Sequence, residues 1–553
     1  MILHRAEAIA EHTAAGYWSS THTLLDDLAA AAREHPDRVA YADPPDRAAL
    51  IGSPPRSVTW AELERAVDAA ATALARHGLE RDEVVVAQVP NVWELPLAYL
   101  AVARAGGILS PVPMQWRSKD ISYVAALTGA RYFVGPQAFK DHRPLDTAEG
   151  VASDPVLEHR IDLADLATWA EGDVDEALLA ERRPGPDDVF TLCWTSGTES
   201  QPKGCPLTHN TWTYGVGNLL TALRLQPTSH RQIAVSPMTN MLGVCMGLVA
   251  NLEIAGTVVL HHPMDLDLLL HQLEHETIDF LILPPAVLHL LVNLGDDAPD
   301  LSGIDAVQTG GAPPAASLIA AYQDRWGIEI INGWGMNEGA GLFAGPDDVP
   351  DPAWRSDHFP WYGREGTAWP SGIEGVRLKL VDEDGREVHE DGAVGELLVG
   401  GPSVFPGYFA RRDLDPTTFD DDGFLRTGDL FAVKDGSYLS FVDRKKDIVI
   451  RGGFNISAAE VENLAVSHPD VAECAAVGYP DEVLGERLCL VVVPRDAGRP
   501  PTLESIVEHL RDGGLAVYKL PERVELAEAL PRNPVGKLLK RELRARLTPP
   551  TDH

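Results

Sequence analysis

Residues 194–204 read WTSGTESQPKG. Here Thr195, Ser196, Gly197 and Thr198 form a short run of hydroxyls and glycine, and Lys203 follows it. Small residues let backbone N–H groups approach an anion, hydroxyls add donors, and a lysine adds a point charge. The chemistry this suits is phosphate binding. The spacing is not that of a Walker A loop, which needs Gly-x4-Gly-Lys followed by Ser or Thr. Taken alone, the segment is equally readable as a surface turn, since clusters of Gly, Ser and Thr are usually loops.

A loop of this kind must be held by regular elements. It follows an apolar run at 189–193 that reads as a strand. Similar runs at 84–89, 132–134, 280–283, 306–308 and 328–331 alternate with helical patterns such as 92–105. That alternation predicts a layered α/β architecture with largely parallel sheets. The character changes after about residue 370. Runs at 376–381, 387–388 and 395–399 around Asp384 and Gly385 predict a small antiparallel, β-rich subdomain. The charged segment 443–451, DRKKDIVIR, leads into a last region from Glu460 onward. It has room for a compact domain of about 100 residues.

The chain has 553 residues and a net charge of -36, from 46 basic and 82 acidic side chains. The length predicts more than one domain. The charge argues against a nucleic-acid partner and against a polybasic membrane anchor. Cysteines at 193, 205, 245, 474 and 489 make neither a disulfide framework nor a Cys-x-x-Cys metal pair. The N-terminal residues MILHRAEAIAEH lack the apolar core of a signal peptide. The nearly apolar stretch 242–260 contains Glu253 and reads as a buried helix followed by a strand, not a membrane span. A cytoplasmic location is expected.

The segment 194–204 resembles the signature loop of the ANL superfamily, which comprises acyl- and aryl-CoA synthetases, peptide-synthetase adenylation domains and luciferases. Four further segments resemble its motifs in the right order: GWGMNE at 333–338, RTGDL at 426–430, the stretch from Asp443 and Arg444 through Glu462, and PVGK at 534–537. The resemblance implies a large N-terminal adenylation domain over 1–442 for ATP and acid. It also implies a hinge at 443–446 and a small mobile α+β lid over 447–553. The implied reaction joins a carboxylic acid to ATP, releases pyrophosphate, and leaves an acyl-adenylate that a thiol attacks to displace AMP.

Roles follow from the resemblance, residue by residue. Lys537 would bridge the acid carboxylate and the α-phosphate. Asp429 would hold the ribose hydroxyls, since a carboxylate accepts from two donors at once, and Arg444 would add a ribose or phosphate contact. Glu338, with Thr198, would place Mg2+ on the phosphates, since hard oxygen ligands suit that ion. Trp334 is suited to stack on adenine, or else to be a core tryptophan. Gly310, Gly311 and Ala312 would border adenine and acid, beside Gly333, Gly335, Met336 and Asn337. Lys446 marks the hinge. Gly452, Gly453 and Phe454 would line a tunnel for a pantetheine thiol in the second step.

Departures from the family pattern narrow the substrate. Glu199 places a carboxylate within the phosphate loop. Thr239 and Asn240 stand where many members have an aromatic and a histidine. Asn240, Met241, Val244, Cys245, Gly310 and Met336 would give the acid a largely apolar pocket. No acidic residue stands where amino-acid-activating members bind an α-amine. The expected substrate is therefore an aromatic or medium aliphatic acid without an α-amine. The expected activity is that of an ATP-dependent, AMP-forming acyl- or aryl-CoA synthetase using ATP, Mg2+ and CoA. One alternative is a stand-alone acid–AMP ligase that loads a pantetheinylated carrier protein; another is a nucleotide-binding protein without ligase activity. Oligomeric state stays open.

Overall fold

The computed structural model describes residues 1–151, 157–195, 201–225, 230–261, 263–311, 313–452, 454–481, 483–532 and 538–547. The chain forms two compact units. Residues 1–195, 201–377 and 399–425 make the first; residues 378–398 and those from 426 onward belong to the second.

The first unit is layered α/β, as the alternating pattern predicts. Its larger sheet has eight strands, in the order Gly341–Ala344, Glu329–Gly335, Ala306–Gly310, Phe280–Ile282, Arg231–Ala234, Thr257–Leu260, Val39–Ala42 and Ser57–Thr59. The six strands from Glu329–Gly335 to Val39–Ala42 run parallel, and the two edge strands are antiparallel. A second sheet has the order His159–Asp162, Tyr132–Gly135, Val84–Ala87, Ile108–Pro111, Val189–Thr195 and Lys203–Thr208. Val84, Val85, Val86 and Ala87 are all buried. An uninterrupted apolar run is what a parallel strand covered on both faces requires. Helix Trp60–Arg76 shows how the covering elements begin. Thr59 Oγ1 accepts from Glu62 N at 3.3 Å, and Thr59 N donates to Glu62 Oε2 at 2.8 Å. This reciprocal cap is worth about 1 kcal/mol.

One ionic cluster lies inside this unit. The Arg47 guanidinium donates to both oxygens of Glu94, at 2.8 and 2.6 Å, and to Asp43 at 2.7 Å. All three side chains are buried. The stretch read as a buried helix and strand has that form, with a local twist in its geometry. Residues 241–244 are α-helical, Cys245–Ala250 form a π-helix, Asn251–Ile254 return to α, and the strand Thr257–Leu260 follows. Among the described residues, no helix is long and apolar enough to cross a membrane.

In the second unit, strands Arg377–Val381, Val394–Gly400, Leu425–Lys434 and Tyr438–Arg444 lie side by side in that order. The expected strand at 387–388 is only a single bridge, Val381 to Glu387. The Asp382 carboxylate takes the backbone N–H groups of Asp384 and Arg386, which turns the chain before a ladder can form. A second sheet orders Phe454–Ile456, Val449–Arg451, Gly485–Pro494 and Val471–Asp481, with Arg523–Leu526 pairing parallel to Gly485–Pro494. Helices Ala458–Ala465 and Leu503–Asp512 contribute Val461, Ile506 and Leu510 to a core shared with Val449, Ile456, Leu488 and Leu490.

Candidate functional site

Three chain segments of the first unit converge on one place. The strand Val189–Thr195 ends at Thr195, and the chain returns antiparallel from Lys203, which pairs with Thr195. The two strands flanking the phosphate-type segment are thus antiparallel neighbours. Lys203 N donates to Thr195 Oγ1 at 3.4 Å, and Trp194 Nε1 donates to Ser110 Oγ at 2.8 Å. The loop residues Ser196, Gly197, Thr198, Glu199 and Ser200 lie outside the described residues.

The second segment is the tight turn after the strand Glu329–Gly335. Met336 N donates to Ala340 O at 3.0 Å and Gly339 N to Met336 O at 3.1 Å. Gly339 has φ +92°, and a Cβ there would stand 1.9 Å from Ser403 O, so only glycine fits. This turn presents Asn337 and the buried Glu338. Asn337 Nδ2 donates to Trp194 O at 2.9 Å, while Asn337 Oδ1 accepts from Met241 N at 2.9 Å. One amide thus joins the root of the phosphate-type loop to the start of the helix expected to line an acid pocket.

That helix is the third segment. Asn240 spends its side chain on capping it, with Oδ1 accepting from Gly243 N at 3.0 Å. A Cβ at Gly243 would stand 2.0 Å from Pro237 O. Val244 and Cys245 are buried, and Met241 and Met336 are half-buried. Burial pushes the Cys245 thiol far up, so it is an apolar wall here and not a nucleophile.

The floor beside these segments is bare backbone. Gly310 and Gly333 are paired on adjacent parallel strands, and a Cβ on Gly310 would stand 2.6 Å from Gly333 O. Gly311 has φ +83°. Ligands of open α/β sheets bind beyond the carboxyl ends of the strands, where these residues lie. Trp334 is half-buried, which takes it out of the core. Ala312 lies outside the described residues.

Sequence reasoning missed Tyr408. Its hydroxyl donates to Glu338 Oε1 at 2.6 Å, and Lys203 Nζ sits over its ring, 4.3 Å from the centroid. Burial, and then the Glu338 charge, push the Tyr408 hydroxyl far above its usual range, so it is a permanent donor. The only signal in the chain is an aromatic cluster around a glycine, Phe405, Tyr408 and Phe409. Nothing in its spacing points to Lys203 or Glu338.

In the second unit, the antiparallel register sets Asp429 opposite Arg444. Arg444 Nε lies 3.6 Å from Asp429 Oδ1, and the carboxylate is nearly buried. Asp443, next in the chain, accepts from Ser457 Oγ at 3.1 Å and from Ala459 N at 3.0 Å, and so anchors the start of helix Ala458–Ala465. Lys446 is exposed. Gly452 has φ +57°, and Phe454 is 56% exposed with its ring 4.8 Å from that of Tyr518. Gly453 and Lys537 lie outside the described residues.

Among the described residues, no group of three or more His, Cys, Asp or Glu is placed to hold a metal. Mg2+ does not need one. It takes one or two carboxylates and completes its shell with water and phosphate oxygens. Glu338, whose Oε1 accepts from Tyr408, brings one carboxylate to that modest demand.

Comparison with known proteins identifies the family. A family model described as AMP-binding enzyme matches residues 28–409, and one described as AMP-binding enzyme C-terminal domain matches residues 460–537. The salicyl-AMP ligase / salicyl-S-ArCP synthetase of Mycobacterium tuberculosis is 30% identical across 97% of this chain and 93% of its own length. The medium-chain fatty-acid–CoA ligase of Escherichia coli is 29% identical across 91% of this chain and 89% of its own. The crystal structure of ATP-bound MatB from Rhodopseudomonas palustris superposes with a TM-score of 0.78 at 26% identity, covering 94% of this chain and 98% of that one.

Proposed function

Since the chain belongs to the AMP-binding enzyme family of adenylate-forming ligases, we propose that it activates an aromatic or medium aliphatic acid lacking an α-amine and transfers it to the thiol of CoA. One observation carries this reading: Asn337 is hydrogen-bonded to both Trp194 and Met241. It supports a phosphate site and an apolar acid pocket built against one another. An acid must meet an α-phosphate at such a junction.

Both reactants are anionic there, so the site must screen their repulsion and fix an in-line approach. Lys203 draws charge from the β- and γ-phosphates. Lys537, by resemblance, bridges the acid carboxylate and the α-phosphate. The acid oxygen bonds to the α-phosphorus, and pyrophosphate departs. Asp429 accepts from the ribose hydroxyls, and Arg444, 3.6 Å from that carboxylate, adds a ribose or phosphate contact. Glu338 and Thr198 would hold Mg2+, which supplies charge neutralisation on the phosphates when bound. The adenine would stack on Trp334, with the backbone of Gly310 and Gly311 bordering it. In the second step the CoA sulfur bonds to the acyl carbon, AMP leaves, and the lid 447–553 turns at 443–446 to bring 452–454 to the thiol. Val244 and Cys245 supply an apolar wall without a charge for an α-amine, which supports the choice of acid.

A carrier protein is the second acceptor to consider, since the salicyl-AMP ligase / salicyl-S-ArCP synthetase aligns over nearly the whole chain. A panel of aromatic and aliphatic acids, screened by ATP–pyrophosphate exchange, tests the first step. Hits are then offered CoA and a pantetheinylated carrier in competition. Exchange with at least one acid, followed by acyl-CoA, is the expected result. Background exchange with every acid overturns the ligase reading, and acylation of the carrier alone overturns the choice of CoA.

A further inference from the structure

Tyr408 touches both charged residues of the candidate phosphate site and belongs to neither of the segments that supply them. Its hydroxyl donates to Glu338 Oε1 at 2.6 Å, and Lys203 Nζ lies 4.3 Å from its ring centroid. We propose that Tyr408 is a positioning residue: its ring holds the Lys203 ammonium on one side, and its hydroxyl holds the Glu338 carboxylate, so that cation and anion face the triphosphate and its Mg2+ as separate charges. The inference rests on the ligase reading above and names a part of that site.

The physical case begins with what would happen without the ring. A lysine and a glutamate that both contact one tyrosine would gain by pairing directly, because the local dielectric is low. A direct pair would cancel the charge that Lys203 offers to phosphate and occupy the oxygens that Glu338 offers to a metal. An aromatic face attracts the ammonium without accepting its protons. A phenol hydroxyl donates to the carboxylate without neutralising its charge. Tyrosine combines those two contacts in one rigid side chain.

The backbone around Tyr408 is tied to the same two partners. Phe405 N donates to Glu338 O at 3.0 Å, and Phe409 N donates to Gly204 O, next to Lys203, at 2.9 Å. Phe405 packs edge-on against the Tyr408 ring at 4.9 Å. Gly339, beside Glu338, lies against Ser403 O with no room for a Cβ. The segment 403–409 is therefore seated against the lysine strand and the glutamate turn at once. Its tyrosine is placed by four contacts that do not depend on a bound nucleotide.

Two variants of the full chain separate the two contacts. Tyr408→Phe keeps the ring and removes the hydroxyl; Tyr408→Leu removes both. ATP binding is titrated calorimetrically with and without Mg2+, pyrophosphate exchange is measured across Mg2+ concentrations, and thermal melting is recorded. For Tyr408→Phe we expect ATP affinity without Mg2+ to stay within about 2-fold, while the Mg2+ needed for half-maximal affinity rises about 10-fold or more, the scale of one hydrogen bond to a charged group. For Tyr408→Leu, ATP affinity without Mg2+ should fall about 5-fold or more as well, as the cation contact is lost. An unchanged Mg2+ requirement in Tyr408→Phe overturns the proposal. So does a loss in both variants that merely tracks a lowered melting temperature. If Tyr408→Leu does not fold, Tyr408→Phe decides alone. An unaltered chain that binds ATP but exchanges no pyrophosphate sinks the ligase reading and leaves the titrations to decide on Tyr408; one that binds no ATP sinks both.

Discussion

Glu253 offers a quantitative test of how the pocket helix is built. It follows the π segment in the turn Asn251–Ile254, and its Oε1 is buried without a hydrogen-bond partner among the described residues. Burial, with the Asp27 charge adding to it, pushes its carboxyl from 4.5 up to about 9. At neutral pH the folded protein therefore holds this group protonated, while the unfolded chain ionises it. A raised carboxyl of this kind leaves stability intact below the unfolded value of 4.5 and erodes it as pH climbs toward about 9. Between those limits the two states differ by one proton, and the slope is about 1.4 kcal/mol per pH unit. From about pH 6 to about pH 8, stability should fall by roughly 2.7 kcal/mol through this residue alone.

Glu253→Gln removes that slope. The amide still lacks a partner, which costs about 1–3 kcal/mol, but that cost does not vary with pH. The variant should gain on the parent by roughly 2.7 kcal/mol between about pH 6 and about pH 8. Urea unfolding followed by tryptophan emission is the assay. All 12 tryptophans lie between residues 18 and 369, so the signal reports the first unit. A gap between the two proteins that stays constant to about 0.5 kcal/mol over that range refutes the protonated Glu253 and the packing argument behind it.

Three further outcomes are expected. Lys537→Ala should lower adenylation about 100- to 1000-fold, the scale of one lost transition-state charge contact, while thioester formation from supplied acyl-adenylate survives; equal loss of both steps removes Lys537 from its role. Asp429→Ala should raise the KM for ATP about 10-fold or more, since ribose loses a charged acceptor, and a change below about 2-fold counts against the ribose assignment. Arg47→Ala leaves Asp43 and Glu94 buried without their cation, so unfolding monitored by tryptophan emission should show a loss of about 3–5 kcal/mol; a loss under about 1 kcal/mol means the cluster takes in water.

Much of this architecture was legible because its signals are local. Val84–Ala87 and Phe280–Ile282 are continuous apolar runs, and such runs announce buried parallel strands. The antiparallel return Lys203–Thr208 was not legible, because it contains Gly204 and Pro206. It is tolerated as an edge strand, where a missing N–H has no ladder to break. The hairpin Leu425–Lys434 with Tyr438–Arg444 also escaped notice. Asp429 and Arg444 look like members of separate motifs until the register sets them opposite each other. Tyr408 is the clearest case. Its two partners are 70 and 205 residues away in the chain (338 and 203 against 408), and no periodicity links positions joined only by tertiary folding.

The π-helix at Cys245–Ala250 carries a consequence for anyone comparing substrate preferences. A π turn closes at i→i+5, one residue beyond an α turn. Each residue of an α-helix turns the next side chain by about 100°. The side chains after Ala250 therefore point where an unbroken α-helix would aim a neighbour one place along. A selectivity code copied column by column from a relative whose helix is regular would name the wrong wall residue on one side of the insertion. Conversely, deleting one residue within 245–250 would turn the side chains beyond it by about 100° relative to those before it, which no single side-chain exchange in the same stretch can do.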